Sequence, residues 1–203
     1  MTPERMAEAI STRQSVRRYD GRPVDEALVL SLLEATLLAP SPHNTQPWRF
    51  VVIREAATKE RLACRMGEKL RHDLKKDKLT DDEIEGIITR SYQRITAAPV
   101  VIVICLVREG MRQYPDRRRN QAELLMFTHS VGAAVQNLLL AAEARGLCAC
   151  WMAAPVYCSP VVARALKLPP GVIPHAIVTL GYGVKDVAAR RPRRLLSDLT
   201  LHR

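Results

Sequence analysis

The chain has 203 residues, 47% hydrophobic and 26% charged, which excludes global disorder and allows one large or two small domains. Lys and Arg total 31 against 21 Asp and Glu, a net charge of +10 that suits an anionic ligand. No run nears the ~18 consecutive apolar residues of a membrane span, and the start lacks the apolar core of a signal peptide. Five cysteines, an odd number, do not read as a disulfide framework, so the expectation is a soluble cytoplasmic protein with reduced thiols.

Thr2-Pro3 pairs an N-cap residue with proline at the first helical position, predicting a helix over 2–12 and a chain that begins here. A loop follows to Pro23. Asp25 caps a second helix, in which Leu28, Val29, Leu32, Leu33 and Leu37 repeat at helical spacing until Pro40. Ala39-Pro40-Ser41-Pro42-His43-Asn44-Thr45-Gln46-Pro47 holds three prolines and reads as a stiff loop, with a strand over 49–53 after it.

Residues 58–98 are charged and mostly helical. Thr80-Asp81-Asp82-Glu83 matches a capping box, and 71–78 is expected to be exposed. Val100 to Leu106 is a continuous apolar run rich in β-branched residues, predicting a strand buried on both faces. A basic connection over 107–119 leads to a long helix over about 121–145, closed by Gly146. A strand over 148–152, a helix starting at Ser159-Pro160 and a strand over 176–182 complete the pattern. There is no repeat, low-complexity tract or linker. Residues 1–203 read as one α+β domain with a few strands among many helices.

Several chemistries are missing. Gly181-Tyr182-Gly183 lacks the third glycine and following helix of a dinucleotide turn, and there is no phosphate loop. Cys148, Cys150 and Cys158 lack metal-ligand spacing and read as small apolar fillers. The histidines are scattered, and no nucleophile elbow is present. Aromatic residues are only 4% and the basic residues are spread along the chain, which argues against nucleic-acid binding.

Three polar clusters remain. In Arg13-Gln14-Ser15-Val16-Arg17-Arg18, alternation sends Arg13, Ser15 and Arg17 to one side of an extended loop. Two guanidinium groups around a hydroxyl can cradle a phosphate; the same residues also suit a solvated basic loop. Ser41, Asn44 and Gln46 on the stiff loop can hold the edge of a planar heterocycle, and equally are ordinary turn residues. Arg190-Arg191-Pro192-Arg193-Arg194 by itself reads as a basic tail.

In this order, the three segments resemble the nitroreductase-like flavoprotein family over nearly the whole chain. Arg13-Gln14-Ser15-Val16-Arg17 resembles its opening Arg-x-Ser-x-Arg. Residues 39–48 resemble its Ala-Pro-Ser-x-x-Asn-x-Gln-Pro-Trp segment. Residues 132–146 resemble its Gly-Ala-x-x-Gln-Asn helix, and Arg191-Pro192-Arg193 stands where the family closes with Lys/Arg-x-Arg. The resemblance implies a central mixed, largely antiparallel sheet surrounded by helices, and a homodimer with FMN at the subunit interface. It implies that Arg13, Gln14, Ser15, Val16 and Arg17 hold the phosphate and ribityl chain and that Arg191 and Arg193 close on the phosphate. By the same resemblance, Ser41 and Asn44 reach the flavin from the other subunit, and Met152 and Ala153 lie near the ring. Flavin chemistry belongs to the cofactor, so no protein nucleophile or metal is needed.

Tyr114-Pro115-Asp116-Arg117-Arg118, Ala122-Glu123 and Met126-Phe127 resemble one subgroup more narrowly: the reductase domain attached to the gamma-glutamyl ligase of deazaflavin coenzyme F-420 biosynthesis. That resemblance implies reduction of a dehydro precursor, from an enol-type to a lactyl side chain, by reduced FMN. It places His43, Asp73, Arg117 and Arg118 at the substrate, and a separate ligase as a partner. The alternatives are a general NAD(P)H-dependent nitro- or quinone reductase and a non-catalytic flavin or deazaflavin carrier.

Overall fold

The computed structural model describes residues 2–183 and 192–202. In chain order the elements are α1 (Pro3–Thr12), α2 (Glu26–Leu37), β1 (Trp48–Ile53), α3 (Ala56–Leu74), α4 (Asp81–Thr96), β2 (Val100–Leu106), α5 (Arg117–Ala144), β3 (Cys148–Met152), α6 (Pro155–Ala165) and β4 (Ile173–Gly181). Short 3-10 turns lie at Pro42–Asn44 and Leu196–Asp198.

The strands form one sheet in the order β1-β2-β4-β3, every neighbouring pair antiparallel. The parallel pairing expected of a mixed sheet is confined to a single bridge, Ser15 to Ala149. Helices cover both faces. On one, Val100, Ile102, Ile104 and Leu106 of β2 pack with Leu32 of α2 and Phe127, Val131 and Leu138 of α5. On the other, Val101, Val103 and Cys105 pack with Leu62 and Met66 of α3, Ile95 of α4 and Val162 of α6. A strand sandwiched this way needs apolar side chains at every position, which explains the uninterrupted run 100–106. Register slips between Ile104 and Cys105, opposite Ala176 and Pro174, where the proline has no N–H to give the ladder.

Local signals set most boundaries. The Thr2 hydroxyl caps α1, Asp25 caps α2, and Thr80 and Glu83 form a reciprocal capping box on α4. Two helix starts differ from expectation. α5 begins at Arg117 rather than near 121, because the Asp116 carboxylate accepts the Arg119 N–H at 2.9 Å. Three arginines in its first turn oppose the helix dipole and mask that start in the sequence. α6 begins at Pro155, so Ser159-Pro160 marks a kink inside it: Pro160 cannot donate to the preceding turn, and Cys158 leaves helical geometry (φ −141°). α5 is long and apolar enough to cross a membrane by length and composition, but its apolar stripe is buried against the sheet.

Candidate functional site

The segment after α1 runs along the edge of β3. The Val16 N–H donates to the Ala149 carbonyl at 3.1 Å, and the Asp20 N–H donates to Tyr182 at 2.9 Å. Val16 is buried, Ser15 and Arg17 are exposed, and Arg13 and Gln14 are half-buried. This is the alternation expected of an extended strip, with its apolar member turned into the protein.

Two glycines permit this close approach. A Cβ on Gly183 would lie 2.4 Å from the Arg18 carbonyl oxygen, and one on Gly181 would lie 2.9 Å from the Tyr19 ring and 2.7 Å from Pro99. Gly181 and Gly183 therefore serve backbone packing, not a nucleotide turn. Tyr19 pins the strip from below. Its hydroxyl lies 2.7 Å from that of buried Thr179, and burial holds its pKa well above the usual phenol range.

The arginines converge beyond this strip. Burial raises the pKa of the Cys150 thiol on β3, and Arg17, Arg94 and Arg13 act against the rise. Three cations therefore share the field around one buried side chain. None of them has an ion-pair partner among the described residues. Like charges gathered without a carboxylate repel one another unless an anion joins them, so the site is built for a multiply charged anion. Arg94, in the last turn of α4, was not singled out from sequence. It lies far from every motif, and only the packing of α4 on this face brings it in.

The proline-rich loop is held by its own side chains. The Gln46 N–H donates to Ser41 Oγ at 3.0 Å and the Gln46 amide donates to Asn44 Oδ1 at 3.4 Å. His43, Asn44 and Gln46 adopt left-handed backbone with φ of 52°, 54° and 46°. Such residues cost about 1 kcal/mol or more each outside glycine, the kind of strain held where a loop must present particular groups. The loop packs beside α5, and its printed hydrogen bonds to the 13–17 strip are none among the described residues.

Asp73 pairs with Lys69 one turn earlier on α3, and that pairing lowers the carboxyl pKa. Both line a cavity of about 300 Å³ with Met66, Ala154, Tyr157 and Cys158. Ala154 follows Met152 and Ala153 directly, so the cavity adjoins the end of β3. Arg117 and Arg118 are exposed in the first turn of α5 and do not line it. Arg193 is exposed and makes no hydrogen bond or ion pair among the described residues. Arg191 lies outside the described residues.

Residues 10–182 match the family model described as "Nitroreductase family", and the chain belongs to that family. A Methanothermobacter thermautotrophicus protein with the provisional name NADH dehydrogenase/NAD(P)H nitroreductase is 28% identical over 90% of this chain and 80% of its own length. The crystal structure of a protein provisionally described as a nitroreductase from Desulfovibrio desulfuricans, in complex with FMN, superposes with a TM-score of 0.75. It is 30% identical and covers 100% of this chain and 98% of that one. The NADPH:FMN oxidoreductase of Vibrio harveyi, complexed with NAD+, shares the fold at a TM-score of 0.72 and 19% identity, over 98% of this chain and 76% of that one.

Proposed function

We propose that residues 1–203 form one FMN-binding domain that transfers electrons from NAD(P)H to a small organic acceptor. The observation that carries this reading is the set of three arginines, without a carboxylate among them, around the edge of β3. A phosphate monoester carries close to two negative charges near neutral pH and fits that deficit. The FMN held by the Desulfovibrio neighbour, and the names of the relatives, support the same assignment.

FMN, when bound, supplies the redox chemistry. The protein's part is binding and orientation. Arg13, Arg17 and Arg94 neutralise the phosphate, with Arg191 and Arg193 joining from the tail. Gln14, Ser15 and Val16 keep the strip against β3, while Met152 and Ala153 floor the ring site. A second copy supplies Ser41 and Asn44 on the strained loop. The exposed apolar side chains of Leu195, Leu196, Leu199 and Leu201 suit burial against that copy. The positive potential favours a reduced, anionic ring.

A second reading keeps the cofactor and changes the acceptor to the dehydro precursor of a deazaflavin, with a separate ligase as partner. The position of Asp73 in the cavity beside Ala154 favours it, with His43, Arg117 and Arg118 as its other contacts.

The purified protein, loaded with FMN, is treated anaerobically with NADH or NADPH and then with a nitroaromatic. Bleaching of the flavin band followed by turnover is expected; failure to take up FMN would sink both readings. In the parallel reaction, reduced FMN and the dehydro precursor should give a product two hydrogens heavier if the deazaflavin is the acceptor.

A further inference from the structure

A second basic site lies on the outer face of α3, where the helix meets α6. Arg61, Arg65 and Lys69 stand four residues apart along α3, on one face, and span about 12 Å of its axis. Arg164 and Lys167 face them from the end of α6, and together they line a trough of about 570 Å³ whose one carboxylate is Glu68.

The pairing within the trough is incomplete. Arg65 pairs with Glu68 at 3.0 Å, and Lys69 turns to Asp73. Arg61 is oriented by neutral acceptors, the Ala165 carbonyl and the Thr58 hydroxyl, both at 3.1 Å. Arg164 and Lys167 have no ion pair among the described residues. Three cations therefore line a concave surface uncompensated. Lys167 also holds a left-handed backbone (φ 52°) just past the end of α6, a place that favours glycine. The helix dipole accounts for cations at the end of α6, but not for the matching arginines on α3.

Position supplies the second argument. Lys69 lines both this trough and the cavity that holds Asp73 and Ala154. One wall is thus common to the basic trough and the space beside the proposed flavin ring. We propose that the trough anchors a phosphate-bearing arm of a substrate whose redox-active head occupies that neighbouring cavity. The inference rests on the proposed function for the identity of the head, but the anion site stands on its own residues. The arm belongs either to the pyridine nucleotide, as its ADP half, or to the acceptor.

The test uses FMN-loaded protein, so that the Arg13 site is filled. Inorganic pyrophosphate is titrated calorimetrically at low salt into the wild type and the double variant Arg164→Gln/Lys167→Gln. Both positions are exposed, and thermal melting and FMN titration check that fold and cofactor binding are kept. Loss of two charge-assisted contacts should weaken pyrophosphate at least about tenfold. Unchanged pyrophosphate affinity would overturn the proposal. Kinetics then separate the two sources. If the arm is the nucleotide's, the ratio of KM for NADPH to KM for reduced nicotinamide mononucleotide rises about tenfold in the variant. If pyrophosphate binding is lost and that ratio stays put, the arm is the acceptor's. Should the chain take up no FMN, the flavin reading falls while the comparison of wild type and variant still reads the trough.

Discussion

Replacing Arg94 with glutamine isolates the residue that joins the phosphate site only through tertiary packing. The side chain shares the field around Cys150 with Arg13 and Arg17 and is half-buried. A cation about 7 Å from a unit negative charge gains about 2.4 kcal/mol at an effective dielectric near 20. Partial exposure and salt cut that to about 1–1.5 kcal/mol. The Kd for FMN should therefore rise about five- to tenfold. Fluorescence quenching on titration measures it, with riboflavin, which lacks the phosphate, as the control. Riboflavin affinity should not change, and the difference between the proteins should shrink at high salt as the field is screened. An FMN Kd that stays put, or FMN and riboflavin weakened alike, refutes the reasoning that Arg94 serves the phosphate.

Two further perturbations probe the frame of the site. Gly183→Ala sets a Cβ 2.4 Å from the Arg18 carbonyl and 3.3 Å from Val16, so the 15–19 strip must leave the sheet edge. Urea unfolding should show a loss of about 1–3 kcal/mol, and FMN titration a weaker Kd, because Ser15 and Arg17 move with that strip. Burial pushes the Cys105 thiol from 9.0 up to about 12, so the folded state stays protonated where the unfolded chain ionises. A raised folded pKa contributes stability that is complete below pH 9 and lost as pH climbs through the window from 9 to about 12, at about 1.4 kcal/mol per pH unit. Cys105→Ala should flatten that part of the stability–pH curve; an unchanged slope would place the loss in other groups, Tyr19 foremost.

What the sequence determined alone is local or periodic. Capping residues at 2, 25 and 80, the apolar run 100–106 and the ordered motifs at 13–17, 39–48 and 132–146 each act over a few residues, so they are legible without a fold. The misread helix starts at 117 and 159 were places where two local rules conflict, a cap against a dipole and a proline against a helix already begun. Other facts depended on elements distant in the chain. Arg94 reaches the Cys150 thiol because α4 packs on that face of the sheet, Gly183 is needed because a strip 165 residues earlier lies against it, and the trough exists because α3 meets α6. Each is set by which helix covers which face, a choice made by burial of the whole core, and single-residue spacing carries no record of it.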